Sequence, residues 1–243
     1  MHELAAPLLY VIQSDCDTFS ALVNNFPTNV EDDLIREAKA DLDKTVPGEL
    51  FNRSYIEADT YSLFEALMEG QLSDWYRTGQ SRHDALSKMD RGQPWSRPQD
   101  RTTGNMLVSN LNNIHDVLLK RHDPALYTRL EKMEIFPQIY GIRWLRLLFG
   151  REFPFRETLV LWDAILADSC PPSLCDQLVV ALLMALRDLL LRYEYQDAVQ
   201  LLMKLPSNLS VLYCTQFALH LKDPIRFRKP TGDDVNDVFK RFL

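Results

Sequence analysis

The sequence predicts an all-α protein of roughly ten helices without a sheet, on three observations. Only 8 of the 243 residues are glycine, few for a chain built on β-turns. Period-two alternation of apolar and polar residues is scarce, whereas apolar residues return every three or four positions along most of the chain. Proline, glycine and Asp caps recur at the ends of those runs. Helices joined by short connections pack as antiparallel neighbours.

The elements follow in order. Leu4 to Gln13 reads as a short helix with Pro7 near its start, and Asp17 reads as the cap of a second helix through Phe19, Leu22 and Val23 that ends near Asn24. Residues 27–52 turn acidic and lose periodicity, as an insertion loop does. Tyr55 to Met68 carries Ile56, Leu63 and Leu67 in one row, flanked by Tyr61, Phe64 and Met68, with Gly70 at the stop. Trp75 and Tyr76 extend the packed region, and residues 77–103 form a second loop rich in charge, serine and proline.

Periodicity resumes from Asn105 to His122 through Met106, Leu111, Ile114, Val117 and Leu118. Asp123-Pro124 reads as an N-cap with a first-turn proline, opening a helix through Leu126, Tyr127 and Leu130. Pro137 marks the next start, and Gly150 is the expected stop after Ile139 to Phe149. Pro154 opens a helix with Leu159, Leu161, Trp162 and Ile165 inward, and Asp168 to Pro172 is a turn. A long apolar helix over Ser173 to Arg192 is expected next, then Asp197 to Leu205 and Leu209 to Leu221, stopped by Asp223-Pro224. Residues 226–243 form a polar tail with a short helix at Asp234 to Phe242. The domain proper therefore spans residues 1–225.

Composition excludes several classes. A net charge of −7 and a pI near 5.3 disfavour a nucleic-acid binder, which needs a basic face to displace phosphate counterions. Leu178 to Leu190 is the most apolar stretch, but Arg187-Asp188 interrupts it and a span needs about 20 apolar residues. No transmembrane segment and no signal peptide are expected. Cys16, Cys170, Cys175 and Cys214 form no C-x-x-C pair, so buried reduced thiols are expected rather than zinc ligands.

Neither a phosphate-binding G-K-[ST] nor a G-x-S-x-G elbow occurs, so no nucleotide cofactor and no hydrolase nucleophile is expected. The acidic runs at Glu31-Asp32-Asp33 and at Asp41 with Asp43 lack the spacing of a calcium loop. His115, His122 and His220 show no metal-ligand spacing with acidic residues, and no metal is expected.

One run carries more. Arg143-Trp144 on one helix, Arg151-Glu152-Phe153-Pro154 in a turn, and Trp162-Asp163 on the next helix stand in close succession. Buried, Arg143 and Arg146 need carboxylate partners, for which Glu152 and Asp163 are nearby in sequence. A tryptophan in each of two successive helices predicts aromatic packing across their contact. The three linked motifs resemble those of the C-terminal half of the TBC domain, the Rab GTPase-activating fold. Met1 to Pro7 and Arg97-Pro98-Gln99-Asp100 are similar to the member-five subgroup of that family. Most of these residues read as structural, because core aromatics and paired arginines usually are.

The resemblance implies an irregular helical TBC domain represented by its C-terminal two-thirds, and a Rab-family GTPase as partner. It also implies a cytoplasmic setting in vesicle trafficking, peripheral to endosomal membranes, with trafficking machinery such as retromer. The family supplies a catalytic arginine from I-x-x-D-x-x-R and a glutamine from Y-x-Q. By the resemblance Met1 follows the second motif, so both are expected upstream and no catalytic residue is assigned here. Ile56-x-x-Asp59 leads to Ser62 rather than arginine. The chain alone is expected to be inactive as a GTPase activator, with Leu8, Leu9, Val11 and Ile12 short of packing. A non-catalytic helical adaptor is the alternative.

Overall fold

The computed structural model describes residues 2–24, 50–69, 71–76, 106–168, 173–207 and 209–230. Among them every regular element is helical and none is a strand. Most of the insertion at 27–52, the loop at 77–103, Cys170 and the tail helix at Asp234 to Phe242 lie outside the described residues. By contacts the chain divides into Met1–Glu69 and Gly70–Leu243.

In the first unit, α1 (His2–Asn24) packs on α2 (Ile56–Met68), which a 3-10 turn at Arg53–Tyr55 introduces. The two short helices expected over this region are one: Pro7 is accommodated inside α1, and Asp17 caps nothing. Instead Asp17 accepts from Arg53 at 2.6 Å, while Phe19 meets Phe51 with ring centroids 5.0 Å apart. The apolar stripe expected on α2 is only partly covered. Ile56, Phe64, Leu67 and Met68 are half-buried, whereas Tyr61 and Leu63 are exposed. On α1, Leu9, Tyr10 and Val11 are also exposed, and Leu8 and Ile12 half-buried.

In the second unit, α3 (Gln71–Tyr76) is followed by α4 (Met106–Asn113), a π-helical stretch (Ile114–Leu119) and α5 (Lys120–His122). The π turn adds a residue to the period, and this changes which side chains are inward. Val117, expected in the core, is 53% exposed, and Leu119 is buried in its place. Next come α6 (Pro124–Lys132), α7 (Gln138–Arg146) and α8 (Phe155–Asp168). Asp123 caps α6 as expected, accepting from the Leu126 amide at 3.0 Å.

The expected long helix over Ser173 to Arg192 is two: α9 (Leu174–Ala185) breaks at Leu186 before α10 (Arg187–Arg192). Leu186 leaves helical backbone at φ −93°, ψ 5°, and the turn lets Arg187 reach back to Asp123 at 2.6 Å. Then follow α11 (Tyr195–Met203) and α12 (Val211–Lys222), the latter capped by Ser210. Alpha-9 is the axis of this unit. Leu178 through Leu183 are all buried, so it is apolar all round, as a helix enclosed by others must be. Alpha-12 packs along it, and the π-helical stretch, α7 and α8 also contact α9 or α12.

Asn110 on α4 donates to Asp176 in the first turn of α9 at 2.8 Å. At Gly141 α7 lies against α4: a Cβ there would overlap the Leu111 side chain, so any larger residue requires the buried Leu111 to shift.

Candidate functional site

The three linked motifs meet in the turn between α7 and α8. Alpha-7 ends at Arg146, and its end has Schellman geometry: the Phe149 amide bonds the Trp144 carbonyl at 2.7 Å and the Leu148 amide bonds Leu145 at 3.1 Å. The left-handed position, where glycine is usual, is Leu148 at φ 45°, followed by Phe149 at φ 59°. Gly150, the expected stop, lies beyond the cap. Left-handed backbone costs an L-residue roughly 1–2 kcal/mol. Both side chains are fully buried, and each burial contributes about 1.5–3 kcal/mol, which offsets the strain.

Around that turn Arg143 donates from Nε to Glu152 Oε1 at 2.7 Å and from a terminal nitrogen to Oε2 at 2.8 Å. The same terminal nitrogen reaches the Met203 carbonyl at 2.7 Å, which ties the turn to the end of α11. The Glu152 side chain is 2% exposed and that of Arg143 25%. Burial pushes the Glu152 carboxyl up, and the Arg143 hydrogen bonds and charge pull it partly back. Trp162 donates its indole N–H to the Leu148 carbonyl at 2.9 Å, which holds the strained residue from the α8 side. Phe153 is buried, and Thr158 on α8 donates to its carbonyl at 3.3 Å. Pro154, Arg151 and Asp163 are exposed.

Two expectations change. Arg146 pairs with no carboxylate among the described residues: it donates to the Trp75 carbonyl at 3.2 Å and lies over the Tyr76 ring, whose hydroxyl donates back to the Arg146 carbonyl. Trp144 stacks on Tyr140 and Phe149, at 4.8 and 6.4 Å, rather than on Trp162. Both tryptophans meet the same turn, Trp144 through the Phe149 ring and Trp162 through the Leu148 carbonyl. Partners supplied by α3, such as Trp75 and Tyr76, stand some 70 positions away in sequence, so no local pattern announces them.

Other chemistry is sparse among the described residues. Cys175 and Cys214 are buried free thiols, and burial pushes the Cys214 thiol up to about 12, so it is protonated and inert. A shallow cavity of about 610 Å³ lies between the ends of α6 and α11, with Arg129 and Lys132 set against Glu134 and Glu194. Its balanced charges select no ligand class. The histidine reading needs correction: His115, with no acidic partner expected, is 3.2 Å from Glu131, and Asp116 joins the same group. Glu131 is one helix further on, which is why local spacing missed it.

A profile of the Rab-GTPase-TBC domain matches residues 97–191, the stretch that contains all three motifs. Residues 97–191 belong to the Rab-GTPase-TBC domain family. TBC1 domain family member 5 of Homo sapiens is 39% identical over 234 residues, covering 95% of this chain and 27% of that protein. The Mus musculus protein of the same name is 38% identical, with 95% and 26% covered. TBC1 domain family member 13 of Homo sapiens is 32% identical over 105 residues, 43% of this chain and 26% of its own. The chain thus spans about a quarter of the length of these relatives. The crystal structure of the Ypt/Rab-GAP domain of Gyp1p superimposes with a TM-score of 0.57 at 19% identity, over 90% of this chain and 56% of that one. That likeness establishes the fold. No helix among the described residues is long and apolar enough to cross a membrane.

Proposed function

We propose that this chain is the helical support of a Rab GTPase-activating domain and engages a Rab-family GTPase without accelerating hydrolysis by itself. The observation that carries the reading is the commitment of two arginines of the motif run; the third, Arg151, is exposed but stands in neither catalytic motif of the family. Arg143 is held by Glu152 and the Met203 carbonyl, and Arg146 by the Trp75 carbonyl. An arginine finger must instead project from the surface to reach the charge developing on a partner's transferring phosphoryl group. Neither I-x-x-D-x-x-R nor Y-x-Q occurs in the 243 residues, which supports the same conclusion.

An arginine finger is worth on the order of 10³–10⁵ in rate, so its lack is easily measured. In a single-turnover assay of GTP-loaded Rab proteins, the chain is expected to change hydrolysis by less than about tenfold. A larger acceleration overturns the proposal. The trafficking role, the peripheral endosomal setting and an association with retromer belong to the same proposal, supported by the similarity to TBC1 domain family member 5. Co-precipitation of retromer with the tagged chain tests that part, and its failure removes it. If no Rab is bound either, the non-catalytic adaptor is the remaining reading.

A further inference from the structure

We propose that the turn after α12, from Asp223 to Lys229, is a membrane-contact site that seats Ile225 among the headgroups of an anionic phospholipid surface. The turn is held in shape by its own hydrogen bonds. Asp223 Oδ1 accepts from the Ile225 and Arg226 amides, both at 3.1 Å, and the Asp223 carbonyl accepts from the Phe227 amide at 3.0 Å. The Phe227 carbonyl lies 2.8 Å from His220 Nδ1, which ties the turn back to the end of α12. What this geometry presents is Ile225, which is 100% exposed. A lone exposed aliphatic residue is common on protein surfaces and by itself means little. This one stands in a run of cations.

Arg226, Arg228 and Lys229 follow Ile225 directly, and all three are exposed. None of them has a carboxylate partner among the described residues, and Arg226 lies over the Phe227 ring at 5.3 Å. The nearest acids are committed elsewhere: Asp223 to the turn amides and Asp168 to Lys222. Arg121, at the end of α5, adds to the same positive field. Burial first, then Arg121 and His220, lower the pKa of His122, which places these basic groups near one another. The region is therefore locally basic, although the chain as a whole carries −7.

A lipid surface fits this combination better than another macromolecule does. A protein partner must offer a pocket shaped to the projecting turn, whereas lipid headgroups close around any apolar tip. Apolar insertion and attraction of cations to anionic lipid add together in peripheral binding. Long arginine and lysine side chains reach back to the phosphates while the apolar residue sits deeper. Nucleic acid supplies phosphates but no apolar layer to receive Ile225. The inference rests on the peripheral membrane setting proposed above, yet vesicle binding by the purified chain is read without retromer, so the two fail separately.

The test is flotation of the full chain with vesicles of phosphatidylcholine alone or with phosphatidylserine added at about 30%. The expected result is partition onto the anionic vesicles at least about tenfold tighter, lost in about 1 M salt. Arg226→Gln, Arg228→Gln and Lys229→Gln should each weaken it roughly fivefold. Ile225→Ser should weaken it by about tenfold. Ile225→Trp should show fluorescence quenching by brominated acyl chains beyond that of the parent chain. All four positions are exposed, so the variants report on binding rather than on folding. Equal binding to both vesicles, or none to the anionic ones, overturns the proposal. So does binding that no variant alters, which assigns it elsewhere, for instance to the exposed Leu9, Tyr10 and Val11 of α1. Weakening by the cation variants alone, with Ile225→Ser unchanged and Ile225→Trp unquenched, assigns the patch to an acidic protein partner and overturns it as well.

Discussion

Glu152 shows how much one residue can carry. Its carboxylate is nearly enclosed, and Arg143 meets both of its oxygens while also holding a carbonyl of α11. Pairs of this kind gain little over an apolar replacement of both partners, but removing one partner leaves the other charge stranded. Glu152→Ala should therefore cost about 3–5 kcal/mol in urea unfolding. A loss below about 1 kcal/mol would place the pair among solvated surface bridges instead. This pairing was legible in the sequence, because the two residues stand nine positions apart across one predicted turn. The partners of Arg146 were not legible. They come from α3, beyond a loop, and they are backbone and aromatic groups with no charge to advertise them.

At the scale of elements, Asp123 does two jobs. It caps α6 and accepts from Arg187 beyond the break at Leu186. A lost cap costs about 1 kcal/mol, and stranding the arginine adds to it. Asp123→Ala should lose about 2–4 kcal/mol by chemical denaturation. Asp123→Asn keeps a capping oxygen and should lose less, and equal losses would show that the cap contributes nothing. Gly141→Ala should also destabilise, by about 1 kcal/mol net, because overpacking against Leu111 exceeds the gain in helix propensity. Cap and proline were visible in the sequence because capping is local. The break at Leu186, the π turn and the left-handed Leu148 were not, because each is a locally unfavourable choice made to satisfy distant packing. Periodicity assumes a uniform helix, so one added residue at Ile114–Leu119 was enough to misplace Val117.

For the whole molecule, His122 should make acid a destabilising direction between about pH 7 and 5. His122 is half-buried, and burial first, then Arg121 and His220, lower its pKa. Below its ordinary pKa of 6.5 the unfolded chain takes up a proton that the folded chain refuses. Stability should therefore fall as pH drops through that value, levelling off only once the folded imidazole is itself protonated. Urea midpoints at pH 7, 6 and 5 check this, and His122→Gln should flatten the fall. An unaltered slope in that variant would assign the acid response to other groups.

The sequence by itself determined the all-helical class, the succession of most helices and the motif run of the family, all from spacing and short-range chemistry. Only the tertiary structure decided which arginine meets a carboxylate, where helices break, and that His115 stands beside Glu131. The reason is physical. Helical period and capping act within a few residues, whereas burial of a charge or a ring is settled by whichever element packs against it, however far along the chain that element lies.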